Sequence, residues 1–121
     1  MQVLREVEAK IEGRYLRWLK SVKIDHRKMN GLGNRSWPDQ MICLPVSPFF
    51  IEFKRVGEGL SELQKLKINE LLALGYLVEI HDDSEEAIKS TEEKNRKDPP
   101  RHGRYRKWDH PTVDRRLHRT P

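Results

Sequence analysis

Apolar side chains at Val7, Ile11, Tyr15, Trp18 and Leu19 recur at the spacing of one helix face, and Leu4 and Leu16 widen the stripe. This pattern predicts an amphipathic helix from about Val3 to Lys20, weakened but not reversed by Gly13. Ser21 to Met29 alternates loosely, as a first strand would, and Asn30-Gly31-Leu32-Gly33-Asn34-Arg35-Ser36 is a loop by composition. Strand patterning then appears from about Asp39 to Leu44 and again from Phe49 to Arg55. Pro45-Val46-Ser47-Pro48 between them predicts a tight connection and an antiparallel hairpin. In the second run Phe49, Ile51 and Phe53 alternate with Phe50, Glu52 and Lys54, so Glu52 and Lys54 share one face of the sheet.

Gly57-Glu58-Gly59 reads as a turn, and Ser61 opens a helix with Gln64 in the capping-box position. Leu63, Leu66, Leu71 and Leu74 are the expected apolar positions of that helix, and Gly75 ends it. A short strand follows from Tyr76 to Ile80, so the single helix crossover implies a parallel strand pair. Ser84 caps a last helix from Glu85 to about Lys94, with acidic residues in its first turn. Beyond it the periodicity stops, and Pro99-Pro100, Gly103 and Pro111 break structure in a segment rich in Arg, Lys and His. The pattern therefore predicts one α/β domain over residues 1–93, in the order α-β-β-β-α-β-α with a central mixed sheet flanked by helices, and a disordered basic tail over 94–121.

Charge sharpens that division. From Lys94 onward there are ten Lys/Arg and three Asp, so the tail is near +7 while the remaining residues, with 14 basic and 16 acidic, are near −2. An acidic body with a basic tail suits a protein that approaches a polyanion yet keeps carboxylates for a cation, and it equally suits a solubilising tail. In the tail, Tyr105 and Trp108 interleave with Arg104, Arg106 and Lys107, a composition that can track phosphates and stack on unpaired bases. Cys43 is the single cysteine and lies in an apolar run, which excludes an intrachain disulfide and fits a buried thiol in a reducing compartment. Neither a signal-peptide pattern nor a membrane-length apolar run is present, so the expectation is a cytoplasmic protein with no membrane partner. The five histidines lack the close pairing of zinc sites, and no phosphate-cradling glycine loop is present.

The candidate chemistry lies in the hairpin. Asp39 follows Pro38, and Glu52 and Lys54 come thirteen and fifteen residues later on the neighbouring strand. A hairpin can bring the two carboxylates together, where they repel unless a cation lies between them. Mg²⁺ suits oxygen donors of this kind, with Mn²⁺ as a substitute, and such an ion can polarise a phosphodiester and activate water. Lys54 can hold the attacking water or neutralise charge developing on the phosphate. Taken singly, Glu-x-Lys is an ordinary charged strand face and Pro-Asp an ordinary turn, so the weight rests on the joint pattern.

That joint pattern resembles a known family. Trp37-Pro38-Asp39, Phe50-Ile51-Glu52-Phe53-Lys54-Arg55, Leu60-Ser61-Glu62-Leu63-Gln64 and Leu74-Gly75-Tyr76 resemble the VRR-NUC family of the PD-(D/E)xK nuclease superfamily, over roughly Glu8 to Ile88. The resemblance implies a restriction-endonuclease-like fold and a metal site of Asp39, Glu52 and the Phe53 backbone carbonyl. It implies Lys54 and Gln64 beside that site and an acidic first-helix residue, Glu8 or, one turn on, Glu12. Gln64 is explained equally well by the capping box alone. Arg55, Lys28 and Arg35 are candidate phosphate contacts, with an exposed surface charge as the default for each. Stand-alone members of the family are homodimers acting on branched DNA, so the implied activity is a Mg²⁺-dependent endonuclease selective for Holliday junctions or flaps. The alternative is a catalytically weak DNA-binding module on a nuclease-like fold. Trp37 departs from the family pattern, in which a smaller residue is more usual, and bears on how this loop meets substrate.

Overall fold

The structure, a computed structural model, describes residues 2–31, 33–45 and 47–97, with only the backbone described for residues 2–7 and 97. Seven elements follow in the order α1 (Gln2–Ser21), β1 (Asp25–Lys28), β2 (Gln40–Cys43), β3 (Phe49–Phe53), α2 (Glu62–Ala73), β4 (Leu77–His81) and α3 (Ser84–Lys97). The strands form one open sheet in the order β1-β2-β3-β4. β1 and β2 are antiparallel, β2 and β3 are antiparallel, and β3 and β4 are parallel. This mixed sheet and element order match the PD-(D/E)xK nuclease-like architecture expected from the pattern. The basic segment carrying Arg104, Arg106 and Lys107 lies outside the described residues.

β3 is buried along its whole length, so each of its faces meets a layer. Phe49, Ile51 and Phe53 face the main core with Tyr15 and Leu19 of α1, Ile42 of β2 and Ala87 of α3. Tyr15 and Phe53 rings meet at 5.4 Å. The Tyr15 hydroxyl is paired at 2.7 Å with Thr91 Oγ1, which donates to the Ala87 carbonyl, so the polar tip of the core tyrosine is satisfied. Phe50 and Glu52 take the opposite phase of the pleat. Phe50 packs edge-on against Trp37 and Tyr76, and Glu52 reaches Gln64 of α2.

α2 starts and stops as its caps dictate. Ser61 and Gln64 form the reciprocal capping box. Gly75, at φ 96°, closes the helix with Gly75 N–H donating to Leu72 and Tyr76 N–H to Leu71, an arrangement that needs the left-handed conformation. The expected apolar face of α2 is corrected, however. Leu63, Leu66 and Leu74 are 67%, 60% and 73% exposed, while Ile68 and Leu71 are the buried pair. The phase is set by Gln64: positions 64, 68 and 71 share one stripe, so turning Gln64 inward puts Leu63 and Leu66 outward. Among the described residues no helix is long and apolar enough to cross a membrane.

Candidate functional site

The hairpin brings Asp39 and Glu52 opposite each other. Gln40 pairs with Ile51, so continuing the antiparallel register by one residue sets Asp39 beside Glu52 at the end of β3. The Asp39 carbonyl accepts from Met29 N–H at 2.9 Å, which ties this point to the end of β1. Asp39 Oδ2 accepts the Phe53 backbone N–H at 2.7 Å, and Oδ1 accepts the Asn30 side-chain amide. Both oxygens are thus oriented by the protein, and the side chain is buried.

Glu52 is buried as well. Its Oε2 accepts from Gln64 Nε2 at 3.0 Å and lies 3.4 Å from Lys54 Nζ. Its Oε1 is buried with no hydrogen-bond partner among the described residues. Lys54 Nζ donates to Gln64 Oε1 at 3.1 Å and stands 3.9 Å from Glu58 Oε2. Gln64 Oε1 also accepts Ser61 N–H at 2.9 Å to complete the helix cap, and the same amide bridges Glu52 and Lys54.

The electrostatics of this cluster are unbalanced. Burial, then the charge of Asp39, raises the Glu52 carboxyl to about 7 against the opposing pull of Lys54. Burial raises Asp39 to about 6, partly offset by the Phe53 N–H, with Glu12 adding to the rise. Glu8 is raised to about 7 by burial and by its hydrogen bond and charge contact with Glu58. Three carboxyls, on α1, just before β2 and on β3, thus resist ionisation together, as carboxylates do when desolvated and short of positive charge.

The other candidates are placed as follows. Glu8 interacts with Glu58, Lys54 and Asp39, whereas Glu12 accepts from Gln40 Nε2 at 2.8 Å. Arg55 Nη1 lies 3.7 Å from Glu58 Oε2, and Arg55 N–H donates to Glu58 Oε1 at 3.2 Å. Lys28 is exposed at the end of β1, and its charge reaches Asp39. Arg35 is exposed on the loop before Trp37. Arg104, Arg106 and Lys107 fall outside the described residues. Three participants were not singled out from the sequence: Asn30, which orients Asp39; Glu58, which touches Lys54, Arg55 and Glu8; and Gln40, held between Glu12 and His26. Asn30 and Glu58 sit in segments whose composition says only loop and turn, so no local signal marks them.

Among the described residues, no group of three or more His, Cys, Asp or Glu side chains is arranged to hold a metal ion. A cation here would have Asp39 and Glu52 as its side-chain donors, with the Phe53 carbonyl as a backbone donor. The orphaned Glu52 Oε1 fits that role, because a buried carboxylate oxygen without a donor is costly unless something positive meets it. No family model matches the chain, and neither a curated protein nor a solved structure matches it. What stands on the geometry is a nuclease-like α/β fold with a carboxylate–lysine–glutamine cluster at the end of its central hairpin.

Proposed function

We propose that the Asp39–Glu52–Lys54 edge engages the phosphodiester backbone of DNA together with a divalent cation, Mg²⁺ or Mn²⁺, and hydrolyses it. The observation that carries this reading is the buried, unpartnered Glu52 Oε1 next to Asp39, with the Lys54 ammonium held 3.4 Å from the other Glu52 oxygen. Asp39, Glu52 and the Phe53 carbonyl would hold the cation; among the described residues no third carboxylate, Glu8 included, is arranged to join them. When bound, the ion supplies charge neutralisation at the phosphate and acidifies water. Lys54, fixed by Gln64 and Glu52, presents a proton-rich group that can orient water or balance charge developing on the phosphate. Arg55 and Lys28 supply positive charge for flanking phosphates. The motif order supports membership of the VRR-NUC branch, and with it a homodimer acting on branched DNA, each subunit presenting one such edge.

A second reading is a DNA-binding module with weak turnover on the same fold, and the donor count favours it over efficient cleavage. With no cluster of three or more side-chain donors among the described residues, a cation would depend on water and on the phosphate of the bound DNA itself. One assay separates the readings: linear, flapped and four-way DNA incubated with the protein, with and without Mg²⁺ or Mn²⁺, beside Asp39→Asn and Lys54→Ala. Metal-dependent cleavage lost in both variants supports hydrolysis. DNA binding without cleavage supports the binding module, and neither binding nor cleavage on any substrate removes both.

A further inference from the structure

Trp37 stands two residues before Asp39 on the loop leading into β2 and is half-buried. Its ring meets Phe50 at 6.0 Å and 62°, and Phe50 is locked in turn by Tyr76 at 5.6 Å and 87°. Phe50 is itself buried, so the tryptophan is braced edge-on by a fixed apolar partner. The Lys67 ammonium lies over one face of the Trp37 ring, 4.9 Å from its centroid. Lys67 also pairs with Glu70 at 2.7 Å, but Glu70 is mostly exposed, so that pair is weak and the ammonium can be shared with a phosphate.

The position of this cluster relative to the carboxylates follows from the two elements that carry both. On β3, Phe50 and Glu52 are two residues apart on one face, a step of about 6.5 Å. On α2, Gln64 and Lys67 are three residues apart and neighbours on the helix surface. Gln64 touches Glu52 and Lys54, and Lys67 touches Trp37, so the strand and the helix run from the carboxylate cluster to the tryptophan in parallel. A separation of about 6.5 Å is roughly two base steps at the 3.4 Å spacing of a DNA strand. Arg35, two residues before Trp37, and Lys28, at the end of β1, add positive charge nearby.

We infer that Trp37, braced edge-on by Phe50 and with the Lys67 ammonium over one ring face, offers its other face as a stacking shelf for an unpaired nucleobase one or two nucleotides from the phosphate at the Asp39–Glu52 edge, so that Trp37 favours DNA with a strand free to leave the duplex. This rests on the DNA reading proposed above and names the residue that selects the substrate within it. A base in a continuous duplex has both faces covered by its neighbours and cannot use the shelf. A base at a flap or junction can, with its phosphate near Lys67. Stacking on an aromatic side chain is sequence-tolerant, so the shelf discriminates DNA structure and not base identity.

The test is binding by the full chain, followed as fluorescence anisotropy of end-labelled single-stranded, flapped and fully duplex DNA at one salt concentration with EDTA present. In parallel, 2-aminopurine one or two nucleotides from the flap junction reports stacking directly. Trp37→Ala is expected to weaken single-strand and flap binding about tenfold, leave duplex binding unchanged and abolish the 2-aminopurine quenching. Trp37→Phe is expected to retain most of both, and melting curves of the two variants verify folding. Equal losses on all three DNAs, or no loss in either variant, overturns the shelf while leaving the DNA reading intact. Absence of binding by the unsubstituted protein, both in EDTA and with Ca²⁺ in its place, overturns both.

Discussion

The same four-stranded sheet carries two carboxylate clusters, one half-buried and one buried, built in opposite ways. On β4, Glu79 is met by His81 Nε2 at 2.8 Å, by Ser90 Oγ at 2.9 and 3.0 Å, and by Lys94 Nζ. Burial alone would raise its pKa, but these hydrogen bonds outweigh burial and hold it down to about 2. Lys94 also lies 4.8 Å over the Phe49 ring, so this charge group clamps α3 onto the sheet. At the end of β3, Glu52 and Asp39 share Lys54, with only Lys28 adding positive charge at Asp39; one Glu52 oxygen goes unpartnered among the described residues, and the two carboxyls are pushed up to about 7 and 6. The first cluster is complete and serves the fold. The second is short of positive charge, an imbalance that the proposed cation would offset.

Breaking the second cluster at its functional centre gives the largest effect. Asp39→Asn keeps the shape but removes the charge, so metal-dependent cleavage of flapped or four-way DNA is expected to fall about 100-fold or more, with the melting temperature little changed. Next, the two clusters should respond to the same chemical change with opposite signs. Glu79→Gln removes a charge that four contacts stabilise and should destabilise the protein by about 2 kcal/mol. Glu52→Gln removes a charge that lacks compensation and should stabilise the metal-free protein at pH 8 by about 1 kcal/mol, the usual sign of a site held strained for function. Chemical denaturation of both variants checks the pair, and the same sign in each would break the comparison.

Smaller, but specific, is the pH dependence. Asp39, Glu52 and Glu8 bind protons more tightly folded than unfolded, so their cost is fully present above about pH 7 and is relieved as pH falls toward their ordinary values of 3.8 and 4.5. Glu79 binds protons less tightly folded than unfolded, so its stabilisation holds above 4.5 and is lost as pH falls toward about 2. Metal-free stability should therefore decline from pH 5 to pH 8, and Glu52→Gln should flatten that decline while Glu79→Gln leaves it in place. The smallest effect expected is Ser61→Ala, about 1 kcal/mol from the lost cap, with Gln64 loosened at Lys54 and Glu52 as its functional trace.

The contrast also separates what the sequence makes legible from what it does not. Asp39, Glu52 and Lys54 were readable as neighbours because hairpin spacing and the two-residue period are local rules, and β2 and β3 obey them. The ends of α2 were readable because Ser61, Gln64 and Gly75 act through contacts within a few residues. The phase of α2 was not, because the leucine count gives an apolar helix without saying which side Gln64 turns, and Leu63 and Leu66 fell outside. The Glu79 cluster was also invisible, since Ser90 and Lys94 lie eleven and fifteen residues away and meet it only once α3 docks. Glu58 and Asn30 reach the candidate site from loop positions whose composition records nothing beyond a turn.

The most direct test of the proposed cation site is Mn²⁺ binding at pH 8, followed by calorimetry or by loss of the free-ion electron paramagnetic resonance signal. Saturable binding by the unsubstituted chain, lost in Glu52→Gln and Asp39→Asn and retained in folded Glu79→Gln, is the result predicted. Mn²⁺ binding of equal strength in Glu52→Gln, or no saturable binding by the unsubstituted chain with or without DNA, would contradict it.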